Sequence, residues 1–272
     1  MARPRFVTLT SDIGWAYAAQ MKAVLARRAP NATVVDIAHD LRPQAIAEAA
    51  FLLGHIAPQF PPGTVHVAVV DPGVGGQRAP VAVETADGSF LVGPDNGVLS
   101  IAALRLGTRR VVRLRPASVV GGRRVSSTFE GRDLFAPAAA ALATGARIER
   151  LGPQQSLQGL PMVPVLRRPR RAGGRVVHVD VFGNAITNLP ATELPPDLRA
   201  VTVVLRGRKR AARVPVLRTY EAGRAGSLGI LRSSFGLLEL AVRNGSASSR
   251  LGLKVGDALE LRWHPRRRGA GK

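Results

Sequence analysis

The chain contains no cysteine among its 272 residues. That absence excludes disulfide bonds, thiolate metal ligands and cysteine nucleophiles. No apolar run is long enough to cross a bilayer, and the first residues lack the pattern of a secretory signal peptide. The sequence therefore predicts a cytoplasmic protein that is not inserted in a membrane.

Acidic residues, lysine and aromatic residues are all scarce. The chain has 39 Lys+Arg against 18 Asp+Glu, a formal net charge of +21, and only four of the basic residues are lysine. Such an excess favours anionic partners, but arginines spread along the whole sequence are more typical of a solvated surface. With an aromatic content of 4% there are few platforms for stacking bases, so we expect only nonspecific contact with nucleic acid. The segments that would make it are Arg167–Arg171, Arg206–Arg210 and Arg266–Arg268.

Apolar residues make up 46% of the chain, which is enough for a real core. In the first part of the chain, apolar runs predict strands that alternate with helical patterns. The predicted strands are residues 5–10, 33–37, 65–70, 81–84 and 90–93, and the predicted helices include residues 43–57 and 137–144. This alternation predicts an α/β domain with a largely parallel sheet over residues 1–160.

The composition and the apolar pattern of the sequence change in the second part of the chain. Residues 161–175 are rich in Pro, Arg and Gly, which is typical of a linker between domains. Residues 176–272 contain short alternating runs separated by turn signals, which favour a small β-barrel or sandwich. The runs are residues 176–181, 200–205, 212–216, 237–242 and 258–263.

The strongest local signal for chemistry is the apolar strand at residues 65–70, which runs directly into Asp71-Pro72-Gly73. A carboxylate at the carboxyl end of a parallel strand lies where α/β sheets bind ligands. The Pro-Gly turn would let Arg78 fold back onto Asp71 and keep that carboxylate ionised. The alternative is an ordinary Asp-Pro-Gly turn followed by a surface arginine.

Asp12 also follows a strand, so it is either a ligand for sugar hydroxyls or the N-cap of the next helix. Phe129 precedes an apolar helix and is a candidate for stacking on a ligand ring. In the second part of the chain, Asp180 and Asn184 flank a polar turn, and the Asn184 amide could read an adenine edge. The five histidines show no metal-ligand spacing, and no Ser–His–Asp order is legible.

Taken together, these segments resemble the S-adenosylmethionine (SAM) hydroxide adenosyltransferase family, to which fluorinating and chlorinating enzymes are related. The resemblance covers almost the whole chain. It is carried by residues 8–12, 21–22, 35–39, 60–65, 70–78, 93–97, 128–137, 182–188 and 234–242.

The resemblance implies an N-terminal α/β domain, a C-terminal β-barrel domain and a homotrimer with active sites between subunits. It implies hydrolysis of SAM to adenosine and methionine, with SAM as substrate and no cofactor or metal. By position, Asp12 would hold the ribose, Asp180 the methionine amino group and Asn184 the adenine. The substrate-binding set that we predict is Asp12, Val74, Phe129, Asp180, Asn184, Ser234, Glu239 and Val242.

The predicted catalytic residues are Asp71, Arg78 and Glu130. Asp71 and Arg78 match two members of the family's water-activating trio, and Glu130 stands where the usual pattern has a histidine. One hypothesis is that Asp71 and Glu130 flank the water while Arg78 keeps one carboxylate ionised. The opposing hypothesis is that Glu130 only pairs with Arg78 or Arg132, which would leave a SAM- or adenosine-binding protein with weakened catalysis.

Overall fold

The computed structural model describes residues 6–123, 125–161, 164–206 and 210–264. The chain divides into two compact units, Met1–Pro161 and Met162–Lys272. The arginine-rich segment Arg266–Arg268, and residues 207–209 of the second such segment, lie outside the described residues. No helix in the described part of the chain is long and apolar enough to span a membrane.

The first unit is built from six strands and five helices within its described residues. The strands are β1 (Phe6–Ser11), β2 (Thr33–Ala38), β3 (Val65–Val69), β4 (Pro80–Thr85), β5 (Phe90–Pro94) and β6 (Thr108–Arg113). The helices are α1 (Gly14–Arg28), α2 (Ile46–Ile56), α3 (Ser100–Leu106), α4 (Pro116–Val120) and α5 (Ala136–Ala143). A π-helical turn, Gly131–Phe135, leads into α5.

The six strands form one sheet in the order β2-β1-β3-β5-β4-β6. The pairs β2–β1, β1–β3 and β3–β5 are parallel, whereas β4 is antiparallel to both of its neighbours. Every residue of β3 is buried, as expected for a central strand covered on both faces. One core, which includes Val67, Leu25 and Phe135, lies on one face, and a second, which includes Ala68 and Leu53, lies on the other. The predicted, largely parallel α/β unit is confirmed.

The second unit is mostly antiparallel sheet. Its elements are β7 (Leu166–Arg168), β8 (Arg171–Val179), β9 (Ala185–Pro190), β10 (Ala200–Leu205), β11 (Arg210–Pro215), β12 (Leu228–Arg232), β13 (Leu237–Val242), α6 (Ala247–Leu251) and β14 (Ala258–Arg262). The strand order is β11-β10-β14-β8-β9-β13-β12, with β7 added on β8.

The two ends of this path nearly meet. Val216, directly after β11, forms a bridge with Ile230 of β12, and the Leu217 N–H donates to the Ile230 carbonyl at 2.8 Å. The sheet therefore curls into a nearly closed barrel around a core that includes Val203, Leu240 and Leu261. Such closure leaves few unpaired strand edges, and it confirms the predicted barrel-like unit.

Part of the segment that the sequence suggests as a linker is ordered strand. β7 and the first five residues of β8 fall inside residues 161–175. The strand pattern of this segment is hard to recognise in the sequence, because arginines occupy most of its outward positions and two further positions are glycines. Strand β6 escapes sequence reasoning for a similar reason: it is an edge strand whose sequence, TRRVVR, is half arginine.

Candidate active site

The candidate site in the first unit lies at the carboxyl edge of the parallel strands. Ser11 ends β1, His39 follows β2, and Asp71 follows β3 after a single residue. The next strand, β5, is followed by Asn96, whose side-chain amide donates to the Val70 carbonyl at 2.9 Å. Asn96 therefore anchors the backbone just before Asp71. This edge is where open α/β sheets place their ligands.

Arg78 joins two carboxylates at this edge. Its Nε donates to Asp71 Oδ1 at 2.9 Å, and one Nη reaches Asp71 Oδ2 as well. The same Nη lies 2.6 Å from Glu130 Oε2. Only 5–15% of each of these three side chains is exposed. Asp71, Arg78 and Glu130, the predicted catalytic residues, therefore form one compact cluster, and the structure pairs Glu130 with Arg78 rather than Arg132.

Glycines allow the two chain segments of this cluster to approach each other. A Cβ on Gly75 would lie 2.3 Å from the Ser127 carbonyl oxygen, and Gly75 has a φ of +75°. A Cβ on Gly73 would lie 3.3 Å from Cγ of Arg78. Gly75 thus lets the loop after β3 pack against the segment before the π-helical turn, which begins directly after Glu130. This close packing brings Arg78 to Glu130 across 52 residues of sequence.

The electrostatics of the cluster are those of one cation between two anions. Burial lowers the pKa of Arg78, but its interactions with both carboxylates outweigh burial and raise that pKa above its usual value. The guanidinium also lies 5.6 Å from the ring centroid of Phe135, which is fully buried. Glu130 Oε2 is buried and lies against the Arg78 guanidinium, whereas Glu130 Oε1 makes no hydrogen bond to another described residue. Oε1 therefore keeps its capacity to accept a hydrogen bond from a bound group.

Asp12 is held by the loop that precedes α2. Its Oδ2 accepts from the Gln44 N–H at 2.7 Å, and Gln44 has a φ of +64°. Helix α1 begins after Ile13 without a side-chain cap. The helix-capping alternative for Asp12 is therefore wrong, because a backbone donor from a distant loop takes the carboxylate instead. The carboxylate remains at the strand edge, where a ligand hydroxyl could reach it.

A buried relay that sequence reasoning missed supports this edge. Ser11 Oγ lies 2.7 Å from His39 Nδ1, and His39 Nε2 lies 2.9 Å from Asp36 Oδ1. Lys22 Nζ donates to the other Asp36 oxygen at 2.8 Å. Because a carboxylate can only accept, a neutral His39 donates from Nε2 and accepts the Ser11 hydroxyl hydrogen bond at Nδ1. Burial raises the pKa of Asp36, but its hydrogen bonds to Lys22 and His39 outweigh burial and lower it.

These residues do form a Ser–His–Asp line, although no such order is legible in the sequence. Ser11 and His39 are each only 1% exposed, so the serine hydroxyl is not presented to a substrate as a nucleophile would be. The relay instead ties the end of β1 to the segment after β2. Its signal in the sequence is the motif at residues 35–39, which carries the family resemblance but suggests no role by itself.

Phe129 lies beside the cluster but has its own packing partners. Its ring meets the edge of Tyr17 at a centroid distance of 5.2 Å, and the Arg132 guanidinium lies 5.4 Å from its centroid. Arg132 also makes two hydrogen bonds to Asp133, at 2.6 and 2.9 Å. Val74 lies in the loop after Asp71 and is partly exposed.

In the second unit, Asp180 organises a tight turn. Its Oδ1 accepts from the backbone N–H groups of Phe182 and Asn184 at 3.0 and 2.8 Å, and its Oδ2 accepts from the Asn184 amide at 2.9 Å. Gly183 sits in the turn with a φ of +80°. Asn184 is only 6% exposed, whereas Val181 and Phe182 at the tip are 93% and 74% exposed. Asp180 and Asn184 therefore lie together in this turn.

Glu239 lies in the same acidic region. It is 4% exposed and accepts a hydrogen bond from the Tyr220 hydroxyl. Burial is the largest influence on the pKa of Glu239 and raises it; the Asp180 charge adds to this effect, and the Tyr220 bond opposes it. The pKa of Tyr220 is raised mainly by burial, and the hydrogen bond to Glu239 raises it further. Sequence reasoning missed Tyr220, which lies in a short 3₁₀ turn without a motif.

The remaining predicted binding residues lie at opposite ends of one strand. Ser234 is exposed in the turn before β13, and Val242 is the last residue of β13. Glu239 lies between them. The structure thus brings Asp180, Asn184 and Glu239 together but does not bring Ser234 to Val242.

Within the described residues, no group of three or more His, Asp or Glu side chains is arranged to hold a metal ion.

Comparisons with known proteins agree on one family. Residues 7–152 match the model of the SAM hydroxide adenosyltransferase N-terminal domain, and residues 174–260 match that of the C-terminal domain. A protein from Thermus thermophilus named (R)-S-adenosyl-L-methionine hydrolase is 44% identical over 94% of this chain and 99% of its own length. One with the same name from Methanocaldococcus jannaschii is 31% identical over 94% and 95%. A fluorinase from Nocardia brasiliensis is 25% identical over 96% and 97%.

Two solved structures are similar to the whole chain. An uncharacterized conserved protein from Thermotoga maritima has a TM-score of 0.89 and 33% identity, covering 94% of this chain and 100% of its own. A conserved hypothetical protein from Thermus thermophilus has a TM-score of 0.75 and 41% identity, covering 94% and 99%. On the strength of both domain matches and these near full-length relatives, the chain belongs to the SAM hydroxide adenosyltransferase family.

Proposed function

We propose that the protein hydrolyses S-adenosyl-L-methionine to adenosine and L-methionine. The observation that carries this proposal is the bridge that Arg78 makes between Asp71 and Glu130 at the carboxyl edge of the parallel strands. Relatives with 31–44% identity over nearly the full chain are named as hydrolases of this substrate. Their name specifies the (R) configuration, and we extend that preference to this chain.

The chemistry needs little beyond a positioned water. The substrate is a sulfonium, so its sulfur leaves as a neutral thioether and needs no acid catalyst. The water oxygen forms a bond to the ribose 5′ carbon while the carbon–sulfur bond breaks. The electron pair of the broken bond stays on sulfur. One water proton must go to a base. The reaction as proposed uses no metal or cofactor, because the leaving group is already activated.

Glu130 and Asp71 supply the carboxylates that this step requires. Both are nearly buried, and the single guanidinium between them cannot neutralise both formal charges. We assign proton acceptance to Glu130, because its Oε1 makes no hydrogen bond to another described residue. Asp71 is committed to Arg78 through both of its oxygens. Arg78 therefore orients the pair, and the negative surplus favours a cationic substrate.

The binding roles follow the side-chain chemistry. Asp12 accepts from the ribose hydroxyls, Asp180 and Glu239 attract the methionine ammonium, and Asn184 contacts adenine. Val74, Phe129, Ser234 and the Val242 backbone complete the predicted substrate contacts.

The proposal includes a homotrimer that acts in the cytoplasm. A subunit interface is supported by Val181 and Phe182, a highly exposed apolar pair on the turn that holds Asp180 and Asn184. A neighbouring subunit that covered this pair would also enclose the substrate contacts of the turn. Light scattering of the purified protein measures the mass: a trimer supports this part of the proposal, and a monomer at micromolar concentration contradicts it.

Product analysis tests the activity. The purified protein is incubated with each sulfonium epimer of S-adenosylmethionine, with and without chloride. The products are separated by chromatography and identified by mass spectrometry. Adenosine and methionine formed from the (R) epimer in both buffers support the proposal. A chlorinated nucleoside would contradict water as nucleophile. Intact substrate that the protein retains would show a binding protein without turnover.

A further inference from the structure

The outward face of the second unit carries a row of arginines in cross-strand register. Arg168 of β7 lies opposite Arg171 of β8, and Arg171 lies opposite Arg262 of β14. Arg262 lies opposite Thr202 of β10, which lies opposite Arg213 of β11. Directly opposed residues of a sheet project from the same face. Five adjacent strands thus place four arginines and one threonine, here called the arginine row, in a single line.

The strand pattern shows that this line faces outward. The residues that alternate with the row, including Ala172, Val201, Val214 and Leu261, are buried in the barrel core. All four arginines of the row are exposed. Among the described residues, no carboxylate pairs with Arg168, Arg171 or Arg213, whereas Arg262 pairs with Glu260. Three guanidinium groups therefore remain available to a partner.

The charge continues beyond the row. In the neighbouring row, Glu260 is the carboxylate that pairs with both Arg262 and Arg206. One row further, Arg175 lies opposite Ala258, whose carbonyl accepts from the Arg206 N–H at 3.0 Å. Arg175 and Arg206 border a hollow of about 170 Å³, which Gly173 and Gly174 also line. Six arginines and one glutamate thus share this face.

The dimensions of the face suit a linear polyanion. Neighbouring strands are about 4.8 Å apart, so the five positions of the row extend about 19 Å. Phosphates of one nucleic-acid strand are spaced about 3.4 Å along the axis, so about six nucleotides would cross the row. Exposed guanidinium forks bind phosphate oxygens in pairs. No aromatic residue occurs in the three rows, so the face offers no platform for bases. Its one exposed large apolar side chain is Leu166, opposite Gly173, which is little apolar surface for insertion into a membrane.

We propose that this face binds the sugar-phosphate backbone of nucleic acid without regard to base sequence, as an activity separate from hydrolysis. The arginine row supplies the phosphate contacts, and the hollow between Arg175 and Arg206 accommodates a further phosphate. The organised register distinguishes this surface from the arginines scattered over the rest of the chain.

Salt-dependent binding tests the proposal. The full chain is titrated against a fluorescent single strand of about 20 mixed nucleotides, and against a second unrelated sequence, from about 50 to 300 mM salt. The face variant carries Arg168→Gln, Arg171→Gln, Arg213→Gln and Arg262→Gln. A control variant with the same charge change carries Arg27→Gln, Arg115→Gln, Arg123→Gln and Arg150→Gln, which are exposed arginines of the first unit.

We expect equal affinity for the two sequences in the unmodified protein. In the face variant, the slope of log affinity against log salt should fall by about 2, since each of the three unpaired arginines of the row contributes about 0.7. The affinity at about 100 mM salt should then fall about 100-fold, against less than about fivefold in the control variant. Equal losses in the two variants would show that net charge alone drives binding, and would overturn the proposal.

Two further measurements keep the test decisive. In the first, vesicles containing an anionic lipid are titrated with the unmodified protein and the same variants. If the protein binds vesicles more tightly than the strand, and the face variant loses that binding, the partner of this face is a membrane surface and the nucleic-acid proposal is overturned. If the fourfold variant fails to fold, as judged by its thermal transition, the pair Arg168→Gln and Arg213→Gln is used. That pair should lower the slope by about 1.4, and an unchanged slope would contradict the proposal.

Discussion

Arg78 contacts Glu130 at 2.6 Å while it donates to Asp71 at 2.9 Å, so one guanidinium bridges two carboxylates of distant chain segments. The planar guanidinium of arginine carries several N–H groups and can contact two carboxylates at once, whereas the ammonium of lysine acts as a single point charge. The bridge places both acids at one end of the sheet and leaves the cluster one negative charge in excess. It is the arrangement from which the proposed water activation follows.

Replacing Arg78 by lysine should keep the charge and lose the bridge. We expect Arg78→Lys to lower kcat about 100-fold with a smaller effect on KM, because the two carboxylates lose their common orientation. Arg132→Lys is the matched control, since Arg132 pairs with the neighbouring Asp133 and lies outside the cluster. Steady-state kinetics measure both variants. Equal losses in the two would show that the Arg78 bridge has no special part in the chemistry.

Glu130 should behave as the base. The amide of Glu130→Gln keeps the shape but cannot take a proton, so kcat should fall by about 100-fold or more. Glu130→His should retain much more activity, because a neutral imidazole can accept the proton. Rates over a range of pH measure both variants. An unchanged rate for the glutamine variant would remove Glu130 from the base role and leave it as a partner of Arg78 only.

The parts of this site that the sequence predicts are those set by short-range geometry. Asp71 and Arg78 are seven residues apart, and the turn after a buried strand is enough to suggest that they pair. The approach of Glu130 depends on Gly75 packing against the Ser127 carbonyl, a contact between distant loops that no local pattern encodes.

Asp12 shows the same limit. Its position after a strand makes it a reasonable helix cap, but the Gln44 N–H, 32 residues further along, takes its carboxylate. Tyr220 lies in a short 3₁₀ turn, so only the fold reveals its bond to Glu239. In contrast, most strands of both units follow from apolar runs. Outward arginines hide β6 and β7, and the short strands β9 and β12 have no predicted counterpart.

The Ser11–His39–Asp36 relay should affect binding more than chemistry. His39→Gln removes the link between Ser11 and Asp36, which releases the strand end that carries Asp12. We expect KM to rise about tenfold while kcat changes less than about threefold. His264→Gln, at an exposed histidine, is the control and should change neither constant. A large fall in kcat at unchanged KM would indicate that His39 takes part in the reaction itself.

His66 should make the folded protein sensitive to acid. Burial lowers the pKa of His66 to about 4, and its Nε2 has no hydrogen-bond partner in the described structure. The unfolded chain takes up this proton near pH 6.5, whereas the folded chain resists it until about pH 4. Stability is therefore complete above pH 6.5 and is lost as the pH falls through that interval. The loss is on the order of 3 kcal/mol.

Urea unfolding at several pH values checks this prediction. Carboxylates also titrate in the same range, so the relevant quantity is the difference between the unmodified protein and His66→Gln. The variant should lose about 3 kcal/mol less than the unmodified protein between about pH 6.5 and 4. Parallel stability curves for the two proteins would show that His66 titrates normally in the folded state.

The most direct test of the central claim is the fate of the water oxygen. The protein is incubated with S-adenosylmethionine in water enriched in ¹⁸O, and both products are examined by mass spectrometry. Attack by water held between Glu130 and Asp71 predicts one labelled oxygen in the 5′ hydroxyl of adenosine and none in methionine, with label incorporation strongly slowed by Glu130→Gln. Label in the amino-acid product, or adenosine without label, would contradict attack of water at the 5′ carbon.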